Sequence, residues 1–165
     1  MRKSIGLAVI AAIAFLARTG SVTGDDKEKE HGSDAGHVLV KADDVKWMDG
    51  PPGLPAGAKI AVLAGDPSKP GPYVLRAKMP DKYKVPPHWH PTTENVTVLS
   101  GTLHMGKGEK FDAQAAEPVT AGGFASMPKG MRHFAYTSGE TIIQVHGMGP
   151  FEINYVNPED DPRKK

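Results

Sequence analysis

Apolar and polar side chains alternate in short runs from residue 58 onward, the period that turns one face of a β-strand to a core and the other to water. Residues 58–63 (AKIAVL) and 73–79 (YVLRAKM) show it, and Gly65, Pro67, Pro70, Gly71 and Pro72 put a long turn between them. Residues 84–90, 95–99, 101–106, 123–127, 133–137, 141–146 and 151–156 continue the series. Upstream, residues 37–41 (HVLVK) and 45–48 read as two more short strands ahead of the turn-rich 49–53 (DGPPG). Residues 111–116 allow a single helical turn before Pro118, and nothing sustains a longer helical period. About ten short strands without a helix predict an all-β sandwich or barrel, not a parallel α/β sheet.

The two ends break the pattern. Arg2 and Lys3 precede an apolar run over residues 5–17, and small residues follow up to Gly24. That run is long enough for the core of a secretory signal and short of the ~20 residues needed to span a bilayer. Residues 1–24 are therefore expected to be a cleaved signal peptide, cut after Gly24 or after Ser21. Residues 25–36 (DDKEKEHGSDAG) offer almost nothing to bury and read as a disordered linker, with His31 a solvated side chain. At the other end, residues 157–165 are too polar and too rich in proline to be core and read as a polar tail.

Composition refines this picture in two respects. The 165-residue chain carries a formal charge of +1, but residues 1–24 contain three basic groups and no acid. Without them, seventeen bases face nineteen acids, a net of −2, and the bases are scattered. No basic stripe with interleaved aromatics exists, so a nucleic-acid partner is not expected. The chain has no cysteine, so an exported form would rely on its core and on any bound metal. After signal cleavage a periplasmic or secreted protein with no stable membrane association is expected.

The chemistry concentrates in residues 88–101, HWHPTTENVTVLSG. Side chains two apart on a strand share a face, so His88 and His90 can bite one metal ion. Glu94 keeps the same parity, yet a straight strand would carry it roughly 20 Å from His88. The chain must fold back between them, and Pro91, followed by Thr92 and Thr93, supplies the break. Further along, residues 127–130 (MPKG) suit a type I turn that reverses the chain ahead of His133, a third imidazole entering a strand.

These residues fall into a known order. His88, His90, Glu94 and Gly101 match the first cupin motif, G-x5-H-x-H-x3,4-E-x6-G, except that Lys82 stands at its leading glycine. Gly122, Pro128, Gly130 and His133 match the second, G-x5-P-x-G-x2-H-x3-N, with Thr137 at the asparagine. The chain thus resembles the cupin superfamily, in particular small exported single-domain cupins. The resemblance implies a jelly-roll β-barrel (double-stranded β-helix), here over residues 37–156, with His88, His90, Glu94 and His133 as metal ligands. It also implies a homodimer. Lys82 puts only a turn in question, and Thr137 a hydrogen bond rather than the metal.

Three imidazoles and a carboxylate suit one divalent transition metal ion, whether zinc, iron, manganese, nickel or copper, and leave room for a further ligand. Affinity alone favours copper and zinc. His104 and His146 are the remaining strand histidines and the candidate acid/base groups, should their faces prove to be inward. Trp89, between two ligands, points away from the metal, and Phe134 and Tyr136 lie opposite His133 in parity, as core or interface residues. The expected function is an exported metal-dependent enzyme acting on a small molecule, with dioxygenase-like chemistry by analogy with cupin dioxygenases. The alternative is a non-catalytic protein that binds or senses a small ligand through the same ion.

Overall fold

The computed structural model describes residues 36–165, and the expected signal and all but the last residue of the expected linker lie outside them. Residues His37–Lys165 form one compact unit. Its strands are β1 (Met48–Asp49), β2 (Lys59–Ala64), β3 (Gly71–Met79), β4 (Lys84–Trp89), β5 (Glu94–Lys107), β6 (Glu117–Thr120), β7 (Phe124–Met127), β8 (His133–Gly149) and β9 (Asn154–Tyr155). All belong to one antiparallel sheet, with the path β1-β2-β3-β8-β4-β9, while β5 pairs β8 and carries β6 and β7 on its far edge. The sheet curls because β5 and β8 are long enough to serve two sets of neighbours. The start of β8 pairs β4 and its end pairs β3, and β5 pairs β7 early and β6 late. Among the described residues no helix is long and apolar enough to cross a membrane.

Alternation decides which side chains fill the interior. Leu75, Ala77 and Met79 from β3, Val96, Val98 and Leu103 from β5, and Ile143 and Val145 from β8 form the buried cluster. Burying a side chain such as Leu103, 2 % exposed, contributes about 1.5–3 kcal/mol. In β5 the register shifts near Gly101, whose φ of +76° and close approach to the Glu140 carbonyl exclude a side chain. This bulge joins residues 95–99 and 101–106 into one bent strand. The same joining occurs in β8, where Gly139 has φ +77°.

Other expectations change at the edges. Residues 37–41 form no strand, with Val38 58 % and Leu39 70 % exposed. Residues 45–48 shrink to the two-residue β1, and 151–156 to the two-residue β9. Alternation marks a segment that tolerates a strand, but only a neighbouring ladder makes it one. Conversely, β6 was not legible in the sequence, because Pro118 argues against a strand. It survives since β6 pairs only β5 and leaves its other side free. Residues 157–165 form two short 3-10 turns, Pro158–Asp160 and Pro162–Lys164, each opened by a side-chain cap from Asn157 or Asp161. The second is fixed by Arg163, which donates to the Ile153 carbonyl at 3.0 Å.

Candidate metal centre

Three strand ends meet at one point. His88 lies in β4, His90 directly follows that strand, Glu94 opens β5 and His133 opens β8. His88 and His133 are direct cross-strand partners. Pro86 and Pro87 interrupt the ladder just before His88, since neither has an amide hydrogen to donate. Residues 90–93 leave the strand and bring the chain back, as the proline predicts, so Glu94 returns to the histidines. The turn ahead of His133 sits one residue later than the spacing suggests. Met131 N–H donates to the Pro128 carbonyl at 3.0 Å, and Gly130 occupies the third position with φ +76°. A left-handed third residue belongs to a type II turn, in which glycine is favoured, not type I.

The three imidazoles are buried, and one ring nitrogen from each lies within 4.8 Å of the other two. Each uses its Nδ1 on a backbone carbonyl: His88 on Pro86 at 2.7 Å, His90 on Glu152 at 2.7 Å and His133 on Met131 at 3.0 Å. A carbonyl only accepts, so Nδ1 carries the proton and Nε2 keeps its lone pair for the centre. Phe151 stacks on the His90 ring, centroids 4.7 Å apart and 19° between planes, and fixes its plane. Glu94 Oε2 is 3.2 Å from His90 Nε2 and 3.4 Å from His133 Nε2. The 3.2 Å approach is not aligned as a hydrogen bond, and His90 Nε2 has no hydrogen-bond partner.

The electrostatics keep His88 neutral and Glu94 ionised and draw positive charge toward His90. Burial, with His133 and His90 adding to it, pushes the His88 imidazole down to about 3, so it is neutral at any ordinary pH. Burial alone pushes the Glu94 carboxyl up, but His133 and His90 outweigh it and hold the group well below the usual carboxylate range. Burial likewise opposes charge on His90, and the Glu94 carboxylate overcomes it and raises that imidazole. A cation is wanted where these nitrogens converge. The orphaned Nε2 of His90, inside a buried three-imidazole group beside a carboxylate, fits a divalent transition metal better than any arrangement of these groups alone.

A narrow cavity opens beside the histidines, with about 70 Å³ of space for the centre of a water molecule. Its walls include Met79, Val96, Leu103, Ile143, Val145 and Phe151, and His88, Glu94 and His133 reach into it. A wider groove of about 460 Å³ along β5 and β7 meets it at Met105 and His133.

The family model of a domain of unknown function, DUF4437, matches residues 39–162. The chain belongs to that family, which is cupin-like. Three solved cupin-type structures are similar to it. The polyketide cyclase RemF from Streptomyces resistomycificus is 20 % identical with a TM-score of 0.61, over 76 % of this chain and 89 % of that one. A protein from Methylibium petroleiphilum, with the provisional assignment of acetylacetone dioxygenase, is 18 % identical with a TM-score of 0.58, over 77 % and 85 %. An RmlC-like cupin from Shewanella frigidimarina is 14 % identical with a TM-score of 0.53, over 68 % and 91 %. At these identities the likeness concerns the fold. No curated protein matches the sequence.

The two acid/base candidates are not brought to the candidate centre. Leu103 and Met105 line the cavity, so His104 between them faces out. There it stacks on Tyr136, centroids 4.4 Å apart, and meets Ser138 Oγ at 2.9 Å. Val145 likewise faces the cavity and turns His146 away, beside its cross-strand neighbours Val74 and Asn95. Trp89 points outward as its parity requires, under the Arg132 guanidinium at 5.8 Å. Phe134 is fully buried on that outer side, its ring filling the space that a side chain on Gly106 would need. Two groups at the site left no signal in the sequence: Phe151, an ordinary apolar strand residue, and the Glu152 carbonyl, which any residue would supply.

Proposed function

We propose that this chain is an exported, metal-dependent cupin enzyme in which His88, His90, His133 and Glu94 hold one divalent ion and a small molecule reacts beside it. The single observation that carries the reading is that three buried imidazoles spend Nδ1 on backbone carbonyls and leave their other nitrogens converging next to a carboxylate. Such an ion would supply a Lewis-acid or redox centre for a bound substrate. The backbone carbonyls fix ring orientation and tautomer, Glu94 offsets part of the cation's charge, and the aliphatic walls keep bulk water from the reacting group. Oxidative chemistry is the reaction we favour, supported by the acetylacetone dioxygenase assignment of a protein with this fold. Export rests on residues 1–24, and pairing into homodimers rests on the cupin resemblance.

The test is elemental analysis of protein from the exported fraction, together with oxygen uptake on a mixture of small metabolites. About one zinc, copper, iron, manganese or nickel per chain is expected, with uptake abolished by Glu94→Ala. Metal with tight ligand retention and no turnover would favour a binding or sensing protein instead. Absence of stoichiometric metal would overturn the reading.

A further inference from the structure

The cavity beside the metal centre has a chemical character of its own. Among the described residues, no Lys, Arg, Asp, Asn, Gln, Ser or Thr lines it. Its polar groups are His88, His133, Glu94 and Tyr83, and the Tyr83 hydroxyl is already committed to the Pro55 carbonyl. The walls therefore offer a bound molecule neither a cation nor a free hydrogen-bond donor away from the histidines.

Resting on the metal-dependent reading of the centre, we propose that this cupin takes a compact, mostly apolar oxygen ligand that binds with a single negative charge, such as an enolate or a branched monocarboxylate. Dianions and polyols are rejected. Charge sets the first limit. Three neutral imidazoles and the Glu94 carboxylate around a divalent ion leave one positive charge without a counterion. One negative charge on the ligand completes the set, whereas a second would be buried among aliphatic groups with no partner. Hydroxyl groups away from the ion meet the same walls, where each would lose its water and find no donor and, beyond the Tyr83 oxygen, no acceptor. Size sets the second limit. At roughly 10–15 Å³ of such space per water, the cavity of about 70 Å³ holds about five to seven waters, and so a ligand body of about as many non-hydrogen atoms.

Isobutyrate and methylmalonate provide the probe pair, because the second is the first with one methyl replaced by a carboxylate. The full-length protein loaded with cobalt(II) is titrated with each, and with glycerol, while the visible bands of the metal are followed. Isobutyrate is expected to shift the bands with at least tenfold higher affinity than methylmalonate, and glycerol to leave them unchanged. The free ion prefers the chelating dianion, so this order can come only from the protein. Equal or tighter binding of methylmalonate, a response to glycerol, or no response to isobutyrate would overturn the substrate class and leave the metal centre standing. Failure to take up cobalt, or uptake undiminished in His88→Ala, would overturn the centre and the ligand class with it.

Discussion

The amide of Gly130 donates to the carbonyl of His90 at 2.9 Å, so the turn that launches one ligand strand is pinned to the residue that closes the other. Two segments forty residues apart in the sequence are thereby held in register at the point where their imidazoles meet.

Gly130 holds φ +76°, and a β-carbon there would meet nothing within 4 Å. Gly130→Ala therefore isolates the conformational cost from any clash. A loss of about 1–2 kcal/mol is expected from forcing an alanine into the left-handed region. Because the strained turn carries His133, metal retention should fall with stability. Urea denaturation and metal content after dialysis measure the two effects, and a variant as stable as the parent would show that the turn relaxes freely.

Lys82 gives the opposite sign. It has φ +60°, the one positive value at a non-glycine residue among those described, and it stands where the cupin motif has glycine. The turn has kept the motif's backbone and lost its residue. Lys82→Gly should raise stability by about 0.5–1 kcal/mol, the relief of left-handed strain less the added freedom of the unfolded chain. Metal content should not change. A destabilised variant would mean that the lysine stem makes contacts worth more than the strain.

Thr137 replaces the second motif's asparagine and is 2 % exposed. Its hydroxyl donates to the Pro80 carbonyl at 2.7 Å and accepts the Tyr83 amide at 2.9 Å, which clamps the turn containing Lys82. Thr137→Val keeps the shape and leaves the two backbone groups only their long mutual contact, the Tyr83 amide to the Pro80 carbonyl at 3.4 Å, at an expected cost of about 1–3 kcal/mol. Thr137→Ser, which retains the hydroxyl, should recover most of it. Thermal unfolding of the pair reads the difference, and equal loss in both would assign the effect to the methyl.

The all-β class and the pairing of His88 with His90 were legible because both depend on periodicity, whereas His133 joined them only through the motif resemblance. Parity put His88 beside His90, and the impossible reach to Glu94 demanded the turn at Pro91. What parity could not give was a sign: it paired His104 with Thr102 but could not say whether that face looked in or out. Leu103 and Met105 took the interior, as burial of apolar surface dictates. The Glu152 carbonyl that orients His90 was illegible for another reason, since backbone groups have no sequence identity.

Removal of the metal should lower the melting temperature. A ligand present at 100 times its dissociation constant stabilises by about 2.7 kcal/mol, so chelation should cost roughly 10 °C in a domain of this size. In His133→Ala, which removes one of the three imidazoles, the chelator should have little further effect. Differential scanning fluorimetry with and without a chelator tests this. A parent protein indifferent to chelation would count against a bound ion.

Tyr73 is 1 % exposed, and its hydroxyl has no hydrogen-bond partner. Burial pushes that hydroxyl's ionisation well up, with the Glu94 charge adding to it, so it is protonated and needs an acceptor. It lies on the row Tyr73–Gly147–Glu94 across β3, β8 and β5. A side chain on Gly147 would come to 2.8 Å from the Thr93 carbonyl and 3.3 Å from the hydroxyl, so the glycine leaves both their room. The ring itself packs against Phe151 with centroids 5.5 Å apart. Tyr73→Phe retains that packing and removes the unsatisfied group, so stability should rise by about 1 kcal/mol in the metal-loaded protein. Chemical denaturation decides it, because a loss of that size would mean that the hydroxyl is bridged through water to Glu94 and belongs to the site.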